Sequence, residues 1–131
     1  MKVLSIKEPF ATLIKDGVKI YETRSWKTNY RGEIFIHASK TLSKSENTNK
    51  ANKYLKSEIN PGFILCKCEL VDCIPMTKEF IDYIYKETSE ADYGRYAEGR
   101  YAFKLRVIKV LSEPIEAKGK LGIWNYSNII D

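Results

Sequence analysis

Residues 17–26, Gly17-Val18-Lys19-Ile20-Tyr21-Glu22-Thr23-Arg24-Ser25-Trp26, decide how this chain is read. Glycine at 17 closes a short helical pattern, and the residues after it alternate as a strand does. Alternation puts Lys19, Tyr21, Thr23 and Ser25 on one side and Ile20, Glu22, Arg24 and Trp26 on the other. A strand of this kind normally has one apolar and one wet face. Here a carboxylate and a guanidinium share a side with isoleucine and tryptophan, which predicts an ion pair or polar pocket beside the apolar layer.

Working outward, Val3, Ser5 and Lys7 alternate with Leu4 and Ile6, predicting a short strand over 2–7. Glu8-Pro9 suits a helix start, since proline at the first helical position forfeits only an orphan donor. Phe10, Leu13 and Ile14 then supply a buried stripe. After a turn at 29–32, residues 33–38 predict a strand with Ile34, Ile36 and Ala38 inward. Ser43-x-x-Glu46 resembles a capping box ahead of a surface helix carrying Ala51, Tyr54 and Leu55. Asn60-Pro61-Gly62 signals a turn into a strand over 63–71. Thr77 suits the cap of a helix over 78–87 with Phe80, Ile81, Ile84 and Tyr85 on its buried side. Residues 101–111 form the clearest strand, and the tail over 113–127 reads as a loop that docks Trp124. Short strands interrupted by two or three helices predict an α+β fold, an open, helix-decorated β-barrel in one domain spanning 1–131.

The 131 residues are 44% hydrophobic and 30% charged, which argues against disorder, a coiled coil or a collagen-like chain. The formal charge of +5 is skewed: residues 1–60 hold 12 Lys/Arg against 6 Asp/Glu, and residues 61–131 hold 10 against 11. Such asymmetry suits a face that attracts anions, nucleic acid among them. Nothing suggests a signal peptide or membrane span, and an odd set of cysteines, Cys66, Cys68 and Cys73, is not a disulfide framework. A cytoplasmic protein with reduced, buried thiols is expected, with Cys66 and Cys68 facing the same way as Ile64 and Leu70. No metal site is expected, because one histidine cannot complete a zinc ligand set.

Common catalytic signatures are absent: no G-x-S-x-G, phosphate-binding loop, dinucleotide glycine fingerprint or H-E-x-x-H. His37, the single histidine, suits a structural hydrogen bond on a strand. What remains is Gly17-x-Lys19-x-x-Glu22-x-Arg24 with Trp26, Tyr30-Arg31-Gly32 and Ile36-His37-Ala38-Ser39-Lys40. Downstream stand Tyr93-Gly94-Arg95-Tyr96, Gly99-Arg100-Tyr101-Ala102-Phe103 and Lys118-Gly119-Lys120-Leu121-Gly122-Ile123-Trp124. This order and spacing resembles the ASCH domain, a branch of the PUA-like superfamily, in its small stand-alone members.

The resemblance implies a PUA-like β-barrel whose cleft, lined by the motif, binds single-stranded RNA or a nucleotide, including one with a modified base. The residues themselves suit that chemistry. Lys19 is a compact cation, Arg24 a planar fork for phosphate or carboxylate, and Glu22 an acceptor for Arg24 or a base amino group. Arg31, Ser39, Lys40, Arg95 and Arg100 would add polar contacts. Tyr21, Trp26, Tyr30, Tyr93, Tyr96 and Trp124 offer stacking surfaces. Equally, Glu22 and Arg24 suit a buried pair, both tryptophans suit the core, and Arg31 and Lys40 suit solvated surface. The resemblance also admits an enzyme, an amidohydrolase acting on acetylated cytidine or a ribonuclease, in which Lys19 and Glu22 would be catalytic. The amidohydrolase pattern places a threonine where this chain has Glu22, and Thr23 would point to the opposite strand face. Neither a cofactor nor an obligate protein partner is expected.

Overall fold

The fold begins with a strand and a short helix. In a computed structural model describing residues 1–127, β1 (Lys2–Lys7) leads directly into α1 (Phe10–Lys15). Pro9 stands at the N-cap rather than inside the helix, and its side chain caps nothing. The buried Glu8 carboxylate does that work, accepting from the Thr12 amide at 2.7 Å and from the Asn60 amide at 2.9 Å. Gly17 ends the turn at φ +78°, a conformation that glycine adopts without steric cost. The Val18 and Lys19 amides then fold back onto the Leu13 carbonyl, both at 3.0 Å. Residues 18–20 therefore precede the strand, and β2 covers only Tyr21–Arg24.

β3 (Gly32–Ser39) pairs parallel with β1, which needs the intervening α1–β2 crossover. β4 (Phe63–Pro75) and β5 (Tyr101–Glu116) form a long antiparallel ribbon, extending well past the expected 71 and 111. The tail contains one more strand, β6 (Ile123–Asn125), antiparallel to β1. The six strands run β2-β5-β4-β3-β1-β6 in a curled half-barrel, so the architecture is α+β with a PUA-like open barrel. No helix among the described residues is long and apolar enough to cross a membrane.

The main core lies between the sheet and α1: Leu4, Ile6, Ile34, Ile36, Cys66, Cys68, Leu70, Phe103 and Leu105 close over Ala11 and Ile14. Ile64 does not join them. The register shifts between Ile64 and Cys66, so Leu65 takes the inner side and Ile64 packs with Val3, Phe35, Leu111 and Trp124 on the other face. Cys66 and Cys68 are buried, free thiols.

α3 (Lys78–Glu87) starts where expected, with Thr77 Oγ1 accepting from the Phe80 amide at 3.1 Å. Ile84 is buried and Phe80 and Ile81 are partly so, but Tyr85 is 63% exposed. The capping box at Ser43 does not form. Ser43 Oγ instead bonds Ser45 and Thr48, and α2 is a short turn over Thr48–Asn52 preceded by Asn47. A 3-10 turn, Glu90–Tyr93, follows α3 and has no counterpart in the expected elements.

Candidate functional site

Because Lys19 sits ahead of β2, strand alternation does not govern it. The fold-back onto Leu13 swings its side chain inward, and it is only 3% exposed. Its ammonium donates to the Tyr93 carbonyl at 2.7 Å and stands 3.7 Å from Glu22 Oε1. The Phe10 and Tyr93 rings flank it at 5.6 and 5.9 Å. Lys19 and Glu22, assigned to opposite faces by alternation, therefore meet. Burial holds the Lys19 amine below its ordinary pKa, opposed by the charges of Glu22 and Glu90.

Arg24 completes the floor. Its Nε donates to Glu22 Oε2 at 2.9 Å, and its Nη2 to the Ser5 carbonyl at 2.8 Å. One carboxylate thus lies between an ammonium and a guanidinium. Above this floor opens a cleft of about 960 Å³, large enough for a nucleotide.

Seven cationic side chains line the cleft (Lys7, Lys19, Arg24, Lys44, Arg95, Arg100 and Lys120) against two carboxylates, Glu22 and Glu46. Of the ten residues singled out from sequence, it brings together Lys19, Glu22, Arg24, Ser39, Tyr93, Arg95 and Arg100. Trp26, Arg31 and Lys40 lie outside its lining. Trp26 packs edge-on against Phe103 at 5.1 Å, with the Arg24 guanidinium 5.9 Å from its ring. Arg31 turns to the carbonyls of Thr28 and Tyr30 and to Asp72. The Lys40 stem lies over Gly62.

The family model for the ASCH domain matches residues 4–116 of the 131. The chain belongs to the ASCH family. No curated protein matches it significantly.

Most of the aromatic side chains proposed as stacking platforms are structural in this ASCH domain. Tyr21, Tyr96 and Trp124 are each less than a tenth exposed, and the Tyr93 ring lies under Lys19. Phe10, identified from sequence only as part of a core stripe, is the second aromatic residue in the cleft lining beside Tyr93. The motif threonine position is Glu22, and the Thr23 hydroxyl accepts from the Arg95 amide at 3.2 Å, holding the far wall of the cleft.

Glu90 carries no sequence signal. Buried in the 3-10 turn, its carboxylate accepts from the amides of Ile20 at 2.9 Å and Tyr21 at 3.2 Å, fixing the entry to β2. Burial raises its pKa, with those two amides and Lys19 acting against the rise. Asn47 reaches across to the carbonyls of Ala91 and Gly94, and Tyr54 donates to Asp92 at 2.7 Å. The polar stretch around α2 thereby braces the turn that positions Lys19.

His37 lies behind the floor. Its Nε2 faces the Ala117 carbonyl at 2.7 Å, an acceptor, so that nitrogen carries the proton and Nδ1 accepts from Ser5 Oγ at 3.0 Å. Ser5 Oγ in turn accepts from Trp124 Nε1 at 2.9 Å. This chain of bonds seats residues 117–124, whose Lys120, Leu121 and Gly122 form one rim of the cleft. Among the described residues no three His, Cys, Asp or Glu side chains gather as metal ligands would.

Proposed function

We propose that this ASCH protein binds single-stranded RNA or a nucleotide in the cleft, with the Lys19–Glu22–Arg24 floor reading the edge of an unpaired base. The observation that carries this reading is the excess of cations over carboxylates around one nucleotide-sized opening. Family membership supports it, since ASCH domains as a class are RNA-binding folds of the PUA-like type. A deep, polar floor suits a splayed base better than a duplex groove. The free thiols of Cys66, Cys68 and Cys73 fit a cytoplasmic setting.

Titration of short single-stranded RNAs at rising salt tests the proposal. Affinity should fall with a log–log slope of roughly 0.7 per phosphate contacted. Folded protein that binds neither RNA nor nucleotide at low salt overturns it.

One feature favours a second reading, a small hydrolase working on acetylated cytidine or on RNA. Lys19 is a buried amine of lowered pKa set beside a carboxylate, an arrangement suited to acid–base work. Glu22 would take the proton from an attacking water or 2′-hydroxyl, Lys19 would return one to the leaving group, and Arg24 would steady the developing negative charge. Turnover of acetylcytidine or RNA that Lys19→Ala leaves unchanged excludes this route.

A further inference from the structure

Two pairs among the seven cations of the cleft differ in what they meet. On the floor, Lys19 and Arg24 share Glu22, and both also donate to main-chain carbonyls. On another part of the lining, Arg95 and Arg100 form no ion pair among the described residues, although the Glu22 carboxylate favours the charged form of Arg100. Arg100 donates through Nε to the Arg95 carbonyl at 3.2 Å, and the Arg95 guanidinium has no hydrogen bond or ion pair among the described residues. The two charges oppose each other: the Arg100 pKa is lowered, by burial first and by the Arg95 guanidinium next.

The backbone that carries the two arginines is held at several points. The Arg95 amide is fixed by Thr23 Oγ1 at 3.2 Å. A Cβ on Gly94 would come within 2.9 Å of the Tyr96 ring, so the chain there is closely packed. Tyr96 itself is buried between the arginines in sequence, and the Arg100 carbonyl accepts from Met76 at 2.9 Å. Arg24 pairs opposite Tyr101 across the β2–β5 ladder, so Arg100 enters the cleft one residue beyond the floor. Two like charges carried on an anchored stretch of backbone and opening onto one ligand-sized space suit an anion.

We infer that Arg95 and Arg100 form a phosphate subsite beside the base-reading floor, so that the ligand is a phosphorylated nucleotide and not a free nucleoside. This rests on the nucleotide-binding reading above and assigns the part of the ligand that each wall holds. A terminal phosphate and an internal phosphodiester share the chemistry, and the probes separate them.

The test titrates wild-type protein and the Arg95→Ala/Arg100→Ala variant with common ribonucleosides, their 5′-monophosphates and dinucleoside monophosphates, following amide shifts by NMR. The wild type should bind a phosphorylated probe at least about tenfold tighter than its nucleoside at low salt, as two charge-assisted contacts imply. The double variant, confirmed as folded by its spectrum, should bring that ratio toward one. A gain confined to monophosphates identifies a terminal phosphate, and a gain shared by the dinucleosides identifies a phosphodiester; both support the subsite. Equal affinity for nucleoside and monophosphate overturns the subsite while leaving nucleoside recognition standing. No binding of any probe or of RNA overturns both.

Discussion

At the scale of single residues, His37 shows how a side chain beside the functional motif is committed to structure. Its ring must be neutral for Nδ1 to accept from Ser5, and burial lowers its pKa, with the Ala117 carbonyl acting the other way. The neutral ring is therefore favoured in the folded state. Its contribution to stability is complete above the unfolded value of about 6.5 and is lost as pH falls from there through the folded value. The chain has one histidine, so a single imidazole resonance reports it. That resonance should titrate with a midpoint below 6.5 and carry the nitrogen shifts of an Nε2-protonated ring; a midpoint at or above the ordinary value contradicts the clasp.

At the scale of elements, the segment running from Ala117 to β6 is the one whose role pattern alone conceals. A Cβ added at Gly119 would lie 2.7 Å from His37 Cε1 and 2.9 Å from both His37 Nδ1 and Ser5 Oγ, atoms already fixed by packing and hydrogen bonds. Gly119→Ala should therefore lower stability by roughly 1–3 kcal/mol in urea unfolding, the usual cost of overpacking. It should also weaken ligand binding, because Lys120 and Leu121 move with the clasp. Strands β1, β3, β4 and β5 were legible because their apolar residues recur at period two, and α3 because Thr77 announces its cap. The Ile64 side chain was not, since a register shift leaves no mark on alternation. Nor were the ends of β4 and β5, whose exposed residues such as Asp72 and Glu116 are held by ladder pairing and not by burial. β6 is only three residues long and is specified by its partner β1.

Across the whole molecule, the charge skew noted in the sequence resolves into a place. The cleft's seven cations against two carboxylates match the +5 of the entire chain, and they come from both halves. The motif residues Lys19, Glu22 and Arg24 were legible as a group because they are close in sequence. Glu90, Asn47 and Tyr54 were not, because their work is to join segments about 40 to 70 residues apart. Stacking aromatics were over-read for a related reason: in a small domain, large rings are needed in the core, and Tyr21, Tyr96 and Trp124 are used there.

Ser5 links two of these scales. Its carbonyl holds Arg24 and its hydroxyl holds the Trp124 indole, while the Trp26 ring stands 5.9 Å from the same guanidinium. The chain has two tryptophans, and both are coupled to Arg24. The protein thus contains its own optical reporter. A ligand that engages Arg24 should shift or quench intrinsic tryptophan emission without any label, and Trp26→Phe and Trp124→Phe should divide that signal between the direct and the relayed contact.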